Sequence, residues 1–273
     1  MTPCATTIDL AAYLRRVRLH SEPLPPTVAT LRRLHRAHVD AIPVVSVQSA
    51  LGLVPDLDLE TLERRLVTDG RGGYCLEHVT LYAAVLDCLG FAPALRLASV
   101  GGGMATHLTV LAQPSDDPRP WMSDVGFGVG ILEPLPVPDA PGPGEPVRRG
   151  MFEHRVDRAD DTLVLRERGD EGWRELHVSA DTAVTTEEIA EANRQVATAP
   201  WSPFAGRLIA MRTDDTSRER LRGTRYEITR ARAAARTTEL SPAEAVEVLE
   251  RRFGVTLDGE ERSALVELLD AAG

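Results

Sequence analysis

Apolar and polar positions along this chain change their period twice. Through residues 7 to about 89 they recur at helical spacing in IDLAAYLRRVRL, TVATLRRLHRAHV and LETLERRL. The same spacing returns at Cys75, where Leu76, Val79, Ala83 and Leu86 share one face and Gly90 is placed to stop the helix. From about residue 91, short β-like runs take over: ALRLASV, HLTVLAQ, TLVLRER and WRELHV, separated by glycine and proline turns. The stretch LPVPDAPGPGEP is too rich in proline for a central strand, because each proline removes a ladder donor. It reads as a loop, either a lid or a surface connection. In the last part, Thr185 and Glu188 form a capping box ahead of EEIAEANRQ, and strands are expected near RLIAMR and TRYEIT. Ser241-Pro242-Ala243-Glu244 opens a helix that Gly254 ends, and Asp258 with Glu261 opens another. The pattern predicts an α+β chain of three units: helical over 1–90, β over 91–185, and mixed α/β over 186–273. No internal repeat is present.

Candidate chemistry concentrates where the two patterns meet. In Arg71-Gly72-Gly73-Tyr74-Cys75-Leu76-Glu77 a cysteine stands at a glycine-flexed turn at the start of a helix. Helix N-terminal N–H groups and a neighbouring imidazolium both favour a thiolate. His107 opens the run HLTVLA, and Asp124 closes RPWMSD ahead of Val125-Gly126-Phe127-Gly128. A carboxylate on the far ring nitrogen of a histidine fixes its tautomer and stabilises its charge, so Cys75, His107 and Asp124 are candidates for a catalytic triad. Backbone N–H groups around Cys75 are candidates for an oxyanion hole. A cysteine taken alone is more often a small buried residue, and an aspartate before a turn is usually a turn former. The reading depends on the three occurring together.

These segments carry a family resemblance. RGGYCLE, the histidine of THLTVLA and the aspartate of SDVGFG resemble the three signature segments of the arylamine N-acetyltransferases, in the same order and with similar spacing. The early Ile42-Pro43, then Asn193, Ser202-Pro203-Phe204 and Arg207-Leu208-Ile209-Ala210, extend the likeness through most of the chain. The resemblance implies a helical bundle, a β-barrel-like unit and a C-terminal α/β lid around a cysteine-protease-like Cys-His-Asp core. It also implies ping-pong acyl transfer, from acetyl-CoA or another acyl-CoA through a Cys75 thioester to a small amine or hydrazine. By position, Val44, Tyr74, Phe127 and Phe204 would border the substrate, and Gly126 and Gly128 the coenzyme A donor.

The chain departs from the family where Pro-Phe-Glu-Asn-Leu is common, reading Pro43-Val44-Val45-Ser46-Val47. Val44 replaces an aromatic of the arylamine pocket. Val45 replaces the glutamate that pairs with the arginine of the RGG segment, so Arg71 is expected to turn to Glu77 or Asp69. This motivates an alternative, an amide synthase of a biosynthetic pathway fed by a carrier-protein thioester. A third class, a noncatalytic binding protein on the same fold, is disfavoured by the intact triad.

Composition narrows the field further. With 273 residues and 43% hydrophobic content the chain can bury a sizeable core. A net charge of −10 argues against a general nucleic-acid surface. All basic residues are arginine. The densest run, from Arg218 to Arg236, reads either as a solvated face or as a contribution to binding coenzyme A phosphates. His35 and His38, on one helical face of LRRLHRAH, read as surface histidines among arginines. Three cysteines without C-x-x-C give neither a disulfide framework nor a zinc ribbon, and Cys75, Glu77 and His78 supply too few ligands for zinc, so no metal is expected. The N-terminal stretch has neither a signal peptide nor a membrane span, which suits a cytoplasmic enzyme with a free thiol.

Overall fold

Residues 8–19, 23–231 and 233–272 are described by the computed structural model. The helical periodicity of the first third is realised as α1 (Leu10–Arg16), α2 (Val28–Ala41), the short α3 (Val47–Ala50) and α4 (Leu59–Leu62), and α5 (Cys75–Cys88). After α4 the backbone runs on as a π-helical stretch, Glu63–Thr68. Thr27 caps α2 by accepting from the Thr30 N–H. The face of α2 carrying Leu31, Leu34, His35 and His38 is buried, while Arg32 and Arg33 on the opposite face are exposed. The expectation of surface histidines therefore fails: His35 and His38 are both fully buried. Periodicity put them on the apolar stripe, and hydrogen-bond partners make their burial tolerable.

The β runs build two sheets. One has eight strands in the order β5-β4-β3-β2-β9-β8-β7-β6. Its members are β2 (Ala94–Val100), β3 (Ala105–Ala112), β4 (Trp121–Met122), β5 (Leu135–Pro136), β6 (Val147–Arg149), β7 (Phe152–Ala159), β8 (Thr162–Gly169) and β9 (Gly172–Ala180). The sheet curls until β5 lies against β7, a nearly closed barrel. Pro136 sits on the terminal strand β5, where a missing ladder donor costs little. The proline-rich stretch after it packs on β7 rather than over Cys75: Gly142 and Arg158 exchange backbone hydrogen bonds of 2.8 and 3.0 Å.

The second sheet has the order β1-β10-β11-β12-β13. It joins β1 (Val44–Val45) from the first third to β10 (Ile209–Thr213), β11 (Ser217–Arg222), β12 (Arg225–Arg230) and β13 (Arg236–Glu239). Val45, Val47 and Ala50 accordingly share a hydrophobic cluster with Leu208, Leu221 and Leu249 of the C-terminal third. The expected capping boxes are present. Thr185 opens α6 (Thr186–Thr198), Ser241 opens α7 (Pro242–Phe253), and Gly254 ends α7 at φ 71°. The last helix, α8 (Gly259–Ala272), begins where the Asp258 and Glu261 side chains exchange bonds with each other's N–H groups. Among the described residues, no helix is long and apolar enough to cross a membrane.

Candidate active site

Cys75 is the first residue of α5, so the unpaired N–H groups of the first turn surround it. That turn is held from below by Glu77, which accepts from the Tyr74 N–H at 3.0 Å and pairs with Arg65. Glu77 is 1% exposed. Burial raises the pKa of its carboxyl group, and Arg65 opposes that shift. Arg71 does not take Glu77 or Asp69, as expected from the loss of its family partner. It reaches across to Glu261 and Asp258 of the C-terminal helix region.

His107 lies in β3 and Asp124 just beyond β4, and the barrel brings both to Cys75. His107 Nε2 is 2.7 Å from Asp124 Oδ2, and His107 and Cys75 line the same cleft. All three residues are buried. Burial alone would lower the pKa of His107, but the charges of Asp124 and Cys75 and their hydrogen bonds outweigh it, raising it to about 10. For Asp124 desolvation is again the largest influence, and His107 with His177 overturns it, holding the carboxylate ionised well below its usual range. Gly126 is required by this closeness: a Cβ there would lie 2.7 Å from the Cys75 Cα.

One member of the site escaped the sequence reading. His177, in β9, donates from Nε2 to the same Asp124 Oδ2 at 2.9 Å and is fully buried. Desolvation lowers its pKa, so it is held neutral while Asp124 accepts its N–H. β2 lies between the two histidines in the sheet, with Ala98 opposite His107 and Val100 opposite His177. Its only signal in the sequence was a histidine in an otherwise strand-like run, WRELHV. The donor atoms of His107, Asp124 and His177 lie within 4.8 Å of one another, as in a metal site. The two N–H···O bonds already account for that spacing.

The cleft above Cys75 has a volume of about 580 Å³ and is mostly apolar. Phe127, Phe204 and Met211 line it, and Phe127 stands edge-on to His107 at 4.8 Å between centroids. Val100, Met104 and Trp201 form a rim and are 47%, 54% and 51% exposed. Of the residues expected to border ligands, Phe127, Phe204 and Gly126 line this cleft. Val44 and Gly128 instead line a narrow gap beside it. Tyr74 is 1% exposed, donates its hydroxyl to Asn193 and stacks on Phe204, so it supports the wall from behind. Arg218, from the arginine-rich run, is bound to Glu167 and the Val129 carbonyl, and Arg232 lies outside the described residues. Against the expectation of no disulfide framework, Cys88 is disulfide-bonded. Among the described residues Cys75 is the free cysteine.

An N-acetyltransferase family model matches residues 27–262. The chain belongs to the arylamine N-acetyltransferase family. It is 31% identical over 261 residues to the arylamine N-acetyltransferase of Mycolicibacterium smegmatis, covering 92% of this chain and 93% of that protein. Its fold is similar to the crystal structure of the Nocardia farcinica arylamine N-acetyltransferase, with a TM-score of 0.87, 34% identity, and coverage of 96% and 95% of the two chains. It also matches the Mycobacterium marinum arylamine N-acetyltransferase in complex with CoA, with a TM-score of 0.86, 28% identity, and coverage of 96% and 99%.

Proposed function

We propose that the protein is an acyl-CoA-dependent N-acyltransferase in which Cys75, His107 and Asp124 are the catalytic triad. The observation that carries this reading is the free thiol at a helix N-terminus, lining one cleft with a histidine whose Nε2 lies 2.7 Å from a buried carboxylate. In the first half-reaction the Cys75 thiolate attacks the acyl carbonyl. The C–S bond to coenzyme A breaks, and the His107 imidazolium gives its proton to the departing thiolate. Backbone N–H groups at the start of α5 would hold the developing oxyanion. Acylation removes the sulfur's charge and with it one of the influences that raise the pKa of His107. The neutral ring then takes a proton from the amine as it attacks the thioester. The amide leaves, and the Cys75 thiolate with the imidazolium is restored.

The apolar lining around Phe127, Phe204 and Met211 favours a flat aromatic amine or hydrazine. Gly126 and Phe127 would border the donor. Gly128 packs on Met211 and is a weaker candidate for that role. The exposed apolar rim of Val100, Met104 and Trp201 leaves room for acyl groups larger than acetyl. On that observation the amide synthase fed by a carrier-protein thioester stands as the second reading.

Intact-protein mass spectrometry after mixing with acetyl-CoA tests the first reading. One acetyl group should be gained, absent in Cys75→Ala and removed by an added arylamine. A folded protein that alkylates at Cys75 yet gains no acetyl group from acetyl-CoA would sink the acetyl-CoA reading and favour longer donors or carrier-bound ones.

A further inference from the structure

We propose that a second cleft, lined by Arg16, Arg18, Arg32, Arg33, Arg36, Arg149 and Arg212, binds a small molecule carrying two or more phosphate groups, at a site separate from the cleft above Cys75. The cleft has a volume of about 640 Å³, which is within the range of small-molecule sites. Seven of its lining residues are arginines and two, Asp40 and Glu133, are carboxylates. The chain as a whole carries a net charge of −10, so this concentration of positive charge runs against its composition. The arginines come from four places in the sequence: the end of α1, the exposed face of α2, β6 and β10. No single run of sequence announces the cleft.

Among the described residues, carboxylates pair with Arg32, Arg36 and Arg149. Glu133 lies 3.3 Å from Arg32 and 3.6 Å from Arg149, Asp40 lies 2.8 Å from Arg36, and Asp215 takes Arg36 at 3.0 Å and Arg149 at 2.9 Å. Arg16 and Arg212 donate instead to the backbone carbonyls of Leu66 and Arg252. Among the described residues, no ion pair joins Arg16, Arg18 or Arg212 to a carboxylate. Burial and then the like charge of Arg18 lower the pKa of Arg16, a repulsion that a bound anion would relieve. Arg18 adds a backbone observation. It follows the C-cap of α1 at φ 61°, a left-handed position usually filled by glycine, yet it carries a long cation that lines the cleft. Several guanidinium groups converging on one concavity suit phosphate oxygens, which accept paired N–H bonds.

The two clefts are neighbours across β10: Met211 lines the one with Cys75 and Arg212 lines the arginine one. Between them the gap at Val44, Asp124 and Gly128 leaves only about 20 Å³, too little to pass a ligand. This anion site stands whether or not Cys75 transfers acyl groups.

Isothermal titration of the whole protein with inorganic pyrophosphate tests it. Saturable binding at one site is expected, weakened at least tenfold in the double variant Arg18→Gln/Arg212→Gln. Binding should be unchanged in Arg194→Gln/Arg251→Gln, which removes two exposed arginines elsewhere. Absence of saturable binding at millimolar pyrophosphate, or equal binding by both double variants, overturns the proposal. Thioester formation from acetyl-CoA separates the sources of the phosphate. If pyrophosphate leaves the donor KM unchanged, the natural ligand is a separate polyphosphate. A competitive rise, matched by a raised KM in Arg18→Gln/Arg212→Gln, would place coenzyme A phosphates here and overturn the separateness of the site.

Discussion

His107, in β3, and His78, in the first turn of α5, are both buried, yet the two are held in opposite states. The pKa of His107 is raised to about 10, whereas that of His78 is lowered to about 4. Burial acts on both in the same direction and is the largest single influence on each. The difference lies in the partners. His107 faces the Asp124 carboxylate and the Cys75 sulfur. His78 donates from Nε2 to the Pro43 carbonyl at 3.1 Å and accepts at Nδ1 from His38 Nε2 at 2.9 Å. His38 in turn accepts at Nδ1 from the Tyr13 hydroxyl at 2.8 Å. A carbonyl can only accept, so His78 carries a proton on Nε2; burial lowers the pKa of both rings, and with both neutral the remaining protons run from Tyr13 through His38 to His78. One buried carboxylate therefore separates a structural histidine from one equipped for acid–base work.

Removing that carboxylate should have the largest effect. Asp124→Asn takes away the charge that outweighs the burial of His107, and the pKa of the ring should then fall. Thioester formation from acetyl-CoA, followed by rapid mixing and mass analysis, should slow by about 10³- to 10⁴-fold in a protein that still folds. Acylation at the full rate in Asp124→Asn would dissolve the contrast with His78.

Stability against pH should sharpen the same contrast, because the two groups act with opposite signs. His35 and His78, with folded pKa values of about 4 against 6.5 unfolded, contribute stability that is fully present above pH 6.5 and is lost as pH falls through 4. At about 1.4 kcal/mol per pKa unit, each could account for on the order of 3 kcal/mol. His107, with its pKa raised, contributes stability that is present below pH 6.5 and is lost as pH rises through about 10. Thermal melts across that range should show a steep acid limb. That limb should become shallower in His35→Gln, where one buried histidine no longer has to be charged. An unchanged limb would mean that the buried neutral cluster does not govern acid unfolding.

How much of this could be read from the chain follows from the range of the forces involved. The helix carrying Cys75 is announced by its own periodicity, and the boxes at Thr185 and Ser241 by residues three apart, because caps and apolar stripes are local. Cys75, His107 and Asp124 stood out because each sits at the edge of a distinct local pattern. His177 did not, since its partner is 53 residues away and is reached only through the register of β2 with β9. The same limit hid the pairing of Arg71 with Glu261 and of β1 with β10, both of which join the first third of the chain to the last. His35 and His38 were misread for a different reason. Both lie on the apolar stripe of α2 with Leu31 and Leu34, and that position outweighs the arginines around them.

The smallest expected effect belongs to His177 and separates positioning from mere packing. Two N–H donors now share the charge on Asp124 Oδ2. In His177→Phe one is lost, and the carboxylate should bind the His107 imidazolium more tightly. The ring would then keep its proton to higher pH. Thioester formation, which needs the charged pair, should change little. Transfer to the amine, which needs the neutral ring, should slow about tenfold at neutral pH, equivalent to about 1.4 kcal/mol, with its pH profile displaced upward by about one unit. His177→Gln, whose amide can still donate to Asp124, should recover most of the rate and return the profile towards its original position. If His177 only fills space, both variants should lower the melting temperature and leave the profile where it was. A profile that moves in His177→Phe and returns in His177→Gln would mean that the second histidine sets how readily the first gives up its proton.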